Sequence, residues 1–197
     1  MKNKYLIVID MQKDFIDGAL GSSYAKAIVN NVCEKIKNYD GIVLLTEDTH
    51  NESDYLNTLE GKLLPVPHCL MDNNGEELPG HKLDPDVVAS VKENLLNLNG
   101  NIDSLKLRPG TVFRKSTFGS LNLATTIGLI NRPDNPIEEI EICGLCTDIC
   151  VVSNALLIRA ALPNIPMKVD SNCCAGTSKE NHDAALKVMK SCQIEIV

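Results

Sequence analysis

The chain has no tryptophan, three phenylalanines and four tyrosines among its 197 residues, so any aromatic wall of a ligand site comes from a short list. It lacks a surplus of positive charge: 19 lysines and arginines stand against 26 aspartates and glutamates, a net −7, and no basic patch offsets that balance. Nucleic acid, itself a polyanion, is thereby excluded as an expected partner. No apolar run approaches the roughly 20 residues that span a bilayer, so no membrane partner is expected. An apolar strand, Tyr5-Leu6-Ile7-Val8-Ile9, begins almost at once, which leaves no room for a signal peptide and predicts a cytoplasmic protein. Internal repeats and low-complexity linkers are also missing. One domain over residues 1–197 is expected, long enough to bury a proper core.

What the chain does have is a hydrophobic content of 44% and eight cysteines. Two of these are adjacent, Cys173 and Cys174, and three more are crowded into residues 143–150. That spacing, without a secretion signal, reads as reduced thiols rather than a disulfide framework.

Apolar runs and helical spacings alternate along the chain. Strands are predicted at 4–10, 42–46, 112–113 leading into Lys115, 137–143, 167–169 and 194–196. Helices are predicted at 25–39, 84–98 with Pro85 in the first turn, 120–130, from Thr147 or Asp148 to Ala161, and 178–190. Such alternation implies an α/β protein with a parallel sheet and helices on both faces. Residues 47–81 break the pattern as a long polar loop holding three of the four histidines, and long loops in compact domains are usually functional.

The segment Glu141-Ile142-Cys143-Gly144-Leu145-Cys146-Thr147-Asp148-Ile149-Cys150-Val151-Val152 reads as strand, tight turn and helix start. With Thr147 or Asp148 as the cap, Cys150 falls in the first helical turn, where backbone N–H groups and the dipole favour an anion. A thiol there tends to ionise. The C-x2-C-x3-C spacing of Cys143, Cys146 and Cys150 also resembles a metal site, but a strand end and a helix would aim the three thiols apart. In parallel sheets ligands bind beyond the carboxyl ends of the strands. Asp10, Asp48 with His50, Lys115 and Cys150 all fall at such ends, so one crevice could collect a carboxylate, an ammonium and a thiol nucleophile.

Three segments carry a family resemblance: Val8-Ile9-Asp10-Met11-Gln12-Lys13-Asp14-Phe15, Phe113-Arg114-Lys115-Ser116-Thr117-Phe118, and Gly144-Leu145-Cys146-Thr147-Asp148-Ile149-Cys150-Val151. In this order they resemble the signatures of the isochorismatase-like cysteine hydrolases, whose best-known amidases are the nicotinamidases. The resemblance implies a Rossmann-like three-layer α/β sandwich with a six-stranded parallel sheet flanked by helices. It implies a triad of Asp10, Lys115 and Cys150, and an oxyanion hole from the backbone N–H groups of Cys146 and Cys150 beside a cis Leu145–Cys146 peptide. The activity implied is hydrolysis of a small carboxamide, nicotinamide above all, through a cysteine thioester. Asp48-Thr49-His50 and His68 resemble the family's metal-binding segments, with Glu60 as fourth ligand and Asp54 as its substitute. The implied ion is divalent: zinc first, then iron or manganese. Relatives often carry tryptophan where Thr49 stands and an aromatic where Leu64 stands, so Phe15 and Phe118 take over ring stacking and Leu64 leaves one wall aliphatic. Relatives are often dimers or tetramers, which implies a homo-oligomer. Gly80-His81-Lys82-Leu83 is expected near the mouth, with no role. Two alternatives stand beside this reading. One is another small-amide or isochorismatase-type hydrolase on the same fold; the other is a non-catalytic protein that binds a metal or ligand.

Overall fold

A computed structural model of the chain describes residues 3–98 and 107–197. The elements follow in the order β1 (Lys4–Ile9), α1 (Lys13–Ile16), α2 (Ser23–Asn38), β2 (Ile42–Asp48), β3 (His50–Asn51), α3 (Leu59–Leu63), β4 (Leu70–Met71), α4 (Pro85–Asn97) and β5 (Val112–Lys115). Then come α5 (Leu121–Ile130), β6 (Glu139–Leu145), a π-helical turn (Thr147–Val151), α6 (Val152–Ala161), β7 (Met167–Ala175), α7 (Lys179–Ser191) and β8 (Glu195–Ile196). Six strands form one parallel sheet in the order β5-β2-β1-β6-β7-β8, flanked by helices. Strands β1 and β2 are almost wholly buried, as a parallel sheet covered on both faces requires.

Four long helices begin on short polar side chains that accept a first-turn N–H. Ser22 caps α2, Asp84 caps α4 ahead of Pro85, Ser120 caps α5 and Ser178 caps α7. Helix α2 packs on α4 and on β7, while α5 packs on α6 and α6 on α7.

Strands β6 and β7 depart from expectation for physical reasons. Strand β6 lies two residues later than the predicted 137–143, because Ile137 N–H is taken by the Asn131 side chain and Glu138 N–H by Asn3 before the ladder begins. Strand β7 runs six residues past the predicted 169, through Asp170, Ser171 and Asn172. A register shift between Ile142 and Gly144 accommodates it, and Lys35 of α2 neutralises Asp170 and Glu141 at 2.6 Å each. The loop predicted over 47–81 is not structureless. It holds the two-stranded parallel pair β3–β4, a 3-10 turn at Tyr55–Asn57, and α3.

The chain enters β1, crosses to β2 on one side, and later returns to β6 on the other. Strand order therefore reverses around β1, and the crevice beyond its carboxyl end is where such sheets place a ligand site.

Candidate active site

Asp10 follows β1 directly and takes a left-handed backbone, φ 47°, which aspartate tolerates better than most residues. Its amide bonds the Thr46 hydroxyl at 3.1 Å, and that hydroxyl donates to Asp10 Oδ1 at 2.6 Å, so a β2 side chain fixes the carboxylate. Asp48 and Lys115 are paired in register at the ends of β2 and β5. Lys115 Nζ stands 2.7 Å from Asp10 Oδ2, 3.3 Å from Asp48 Oδ1 and 3.5 Å from Cys150 Sγ. The structure thus brings Asp10, Lys115 and Cys150 together, each at most 6% exposed.

Cys150 arrives through the turn after β6. Gly144 sits at φ 118°, and a Cβ there would lie 2.1 Å from the Ile9 carbonyl oxygen, so only glycine lets β6 pass so close to β1. The Leu145–Cys146 peptide is cis. Val151 N–H then reaches five residues back to the Cys146 carbonyl at 3.0 Å, the π-helical pattern, which presents Cys150 at the turn before α6.

Two expectations for this turn fail. Neither Thr147 nor Asp148 caps it. The Thr147 hydroxyl instead meets His182 Nδ1 at 2.8 Å, and the Asp148 carboxylate accepts from Thr177 N–H and hydroxyl at 2.8 and 2.5 Å. The pair clamps the segment between β7 and α7 against the turn. The thiol is not predisposed to ionise either: burial pushes Cys150 well above the usual thiol range, and the Asp10 carboxylate adds to this against Lys115. Burial likewise raises Asp10, with Lys115 and Thr46 holding it down, which makes it a stronger base than a carboxylate in water. For Lys115, burial is outweighed by the charges of Asp10 and Asp48 and the hydrogen bond to Asp10, and the ammonium stays protonated.

Asp48 faces two ways. While Oδ1 meets Lys115, Oδ2 lies 3.0 Å from His50 Nε2 and 3.4 Å from His68 Nε2. Glu60 closes the group, 3.5 Å from His68 Nε2 and 3.8 Å from His50 Nε2. One donor atom from each of the four lies within 4.8 Å of the others. Four ligands about 2.0–2.1 Å from a tetrahedral ion would stand roughly 3.4 Å apart, close to this spacing. His68 Nδ1 is bonded to the Val66 carbonyl at 2.9 Å, which leaves Nε2 to act as a ligand. Residues and donor chemistry fit a divalent ion of the zinc, iron or manganese kind. Asp54, the substitute for Glu60, stands outside the group and lines an outer recess. Burial opposes charge on His68, yet hydrogen bonds to Asp48 and Glu60 raise it to about 10, so an incoming ion must displace a proton.

Cys150 and three of the four quartet residues open on one cleft of about 540 Å³, while His50 lines the outer recess. Asp48, Glu60, His68, Cys146 and Cys150 line the cleft, with Phe15, Leu64 and Phe118. The Phe15 ring packs 5.4 Å from His68. Gly21, Ser22, Gly176 and Thr177, which sequence reasoning had not singled out, line the cleft as well. Tyr55 was also missed, although its ring packs edge-on against His50 and His68 at 5.0 and 5.2 Å. The segment Gly80-His81-Lys82-Leu83 does not line the cleft. It runs beside residues 12–14, and His81 is fully buried with Nε2 on the Thr49 hydroxyl. Among the described residues, two sets of three or more His, Cys, Asp or Glu side chains converge, and neither includes a cysteine.

The chain belongs to the isochorismatase family. The isochorismatase domain model matches residues 99–197. An isochorismatase family protein of Bacillus subtilis, PncA, is 30% identical over 93% of this chain and 92% of its own length. The fold is shared with a pyrazinamidase/nicotinamidase from Streptococcus mutans, at TM-score 0.74 and 22% identity over 98% of this chain and 99% of that one. It is shared too with the pyrazinamidase of Pyrococcus horikoshii in complex with zinc, at 0.69 and 21% over 99% and 98%.

Proposed function

We propose that the protein is a cysteine amidohydrolase that converts nicotinamide to nicotinic acid and ammonia. The observation that carries this reading is the contact of one buried ammonium with Asp10, Asp48 and Cys150, beside a cleft lined by Cys150 together with Asp48, Glu60 and His68 of the quartet. The relatives described as nicotinamidases or pyrazinamidases support the substrate class.

A carboxamide is a poor electrophile with a poor leaving group, so nucleophile and leaving nitrogen both need help. Asp10 takes the proton of the Cys150 thiol as the sulfur attacks the carbonyl carbon. Lys115, between the two, balances the charge that moves from carboxylate to sulfur. The negative oxygen that forms lies against the backbone N–H groups of Cys146 and Cys150, a stabilisation in which one donor is typically worth about a hundredfold in rate. Asp10 then returns its proton to nitrogen, ammonia leaves, and an acyl thioester remains on Cys150. Water, deprotonated by Asp10, cleaves the thioester, releasing the acid and restoring the thiol. Zinc held by Asp48, His50, Glu60 and His68 would supply a Lewis-acid contact for the pyridine nitrogen. Phe15 and Phe118 flank the ring. The aliphatic wall at Leu64 favours a second reading, another small carboxamide as preferred substrate.

The test is ammonia release from nicotinamide by the purified protein, before and after chelation, with elemental analysis of bound metal. Release that falls on chelation and returns with zinc, iron or manganese supports the reading. Cleavage of other carboxamides alone removes nicotinamide as the substrate. No turnover of any amide by the reduced, metal-loaded protein leaves a binding function.

A further inference from the structure

Gln12 follows Asp10 by two residues, is fully buried and does not line the cleft. Its carboxamide bonds both sides of the Asp48 backbone: Oε1 accepts the Asp48 N–H at 2.8 Å, and Nε2 donates to the Asp48 carbonyl at 2.9 Å. The same Nε2 donates to the His81 carbonyl at 2.6 Å. Every polar atom of the side chain is thus used on backbone, in a place where an unpaired amide or carbonyl would be expensive.

The geometry of that backbone matters more than usual because the residue it carries serves two neighbours. The Asp48 carboxylate puts Oδ1 on Lys115 and Oδ2 on His50 and His68. A small rotation of the Asp48 peptide would move both oxygens together. His81, tied at its carbonyl to Gln12, also holds the Thr49 hydroxyl at 2.9 Å, so the residue between Asp48 and His50 is gripped from the same side. Thr49 N–H is bound to the Lys115 carbonyl at 2.8 Å. Gln12 is therefore the junction between the segment that supplies Asp10, the strand end that supplies Asp48 and His50, and the segment around His81.

We propose that Gln12 is a positioning residue: by fixing the Asp48 peptide it divides the Asp48 carboxylate between Lys115 and the metal-ligand quartet. This rests on the quartet binding a divalent ion, as the proposed function has it.

The test uses Gln12→Glu, which keeps the shape and the acceptor for Asp48 N–H but sets oxygen against the Asp48 and His81 carbonyls. Gln12→Met, of similar length without polar atoms, is made beside it in case the first does not fold. Asn94→Asp is the matched control, since Asn94 on α4 is equally buried and its amide donates to the Tyr39 carbonyl at 3.0 Å, away from the cleft. Zinc dissociation constants are read on the folded, chelator-stripped proteins by competition with a chromogenic chelator, alongside thermal midpoints. The expected result is that both buried-amide changes lower the midpoint, while only the Gln12 variants weaken zinc binding, by about 10- to 100-fold. Gln12 variants that bind zinc as the wild type does, or an equal loss in Asn94→Asp, would overturn the proposal. Wild-type protein that binds no zinc overturns the metal-ligand assignment together with this inference, and amide hydrolysis by the same wild-type sample is scored separately.

Discussion

Replacing Lys115 by methionine removes one charge and should expose how the site is balanced. The ammonium side chain is 2% exposed and lies 2.7 Å from Asp10 and 3.3 Å from Asp48. Methionine fills much of the same volume, so the main change is electrostatic. Two buried carboxylates then face each other without the cation between them. Stranding one member of a buried ion pair costs about 3–5 kcal/mol. A domain of this size has roughly 5–15 kcal/mol of stability, so the variant should still fold at 25 °C. Asp10, without Lys115 to hold its pKa down, is pushed further above its unfolded value near 4. Its folded form then binds the extra proton, so the variant's stability is greatest at acid pH. It falls as pH rises from about 4 to the raised pKa, at roughly 1.4 kcal/mol per unit. Urea unfolding in the presence of chelator, followed by circular dichroism because the chain has no tryptophan, should show a larger loss at pH 8 than at pH 5. Asp10→Asn on the same background should recover part of it, a coupling on the order of 1–3 kcal/mol. A loss of equal size at both pH values, with additive single variants, would refute the charge-balance reading.

Three further outcomes are expected. Cys150→Ala should abolish ammonia release while lowering stability by only about 1 kcal/mol, since a single buried sulfur is removed, and measurable turnover would exclude Cys150 as nucleophile. Gly144→Ala should cost at least about 3 kcal/mol in urea unfolding, because the new Cβ meets the Ile9 carbonyl at 2.1 Å in a backbone region that side chains avoid; near-wild-type stability would contradict the strand geometry. Zinc affinity of the stripped protein should rise about tenfold per pH unit up to the His68 value near 10, because each bound ion releases that proton. Calorimetry in two buffers of different ionisation enthalpy reads the released proton directly, and buffer-independent heats would remove it.

The fold was largely legible because each level of the sequence points the same way. Tyr5 to Ile9 and Ile42 to Leu45 are apolar without interruption, which a strand buried on both faces requires, and four helices start at serine or aspartate caps. Where the reading failed, the deciding contact was long-range. The polar stretch Asp170-Ser171-Asn172 looks like a loop, and only Lys35, arriving from α2, makes Asp170 acceptable inside a strand. Strands β3 and β4 are two residues each, too short to have a period.

Residue types of the site could be read off strand ends, but the way each polar group spends its bonds could not. Thr147 and Asp148 have the right chemistry to cap a helix, and a cap is the local use of such side chains. The fold offers them a non-local one. Thr177 and His182 take their oxygens, and the segment so anchored supplies Gly176 and Thr177 to the cleft wall. The same reversal applies to Cys150. Position at a helix start argues for an ionised thiol, but burial among carboxylates argues more strongly the other way. A thiol that is protonated at rest needs a partner to take its proton, and Asp10, raised by the same burial, is in contact to do so. The buried setting that opposes a free thiolate is thus the setting that makes a carboxylate basic enough to generate one when the substrate arrives.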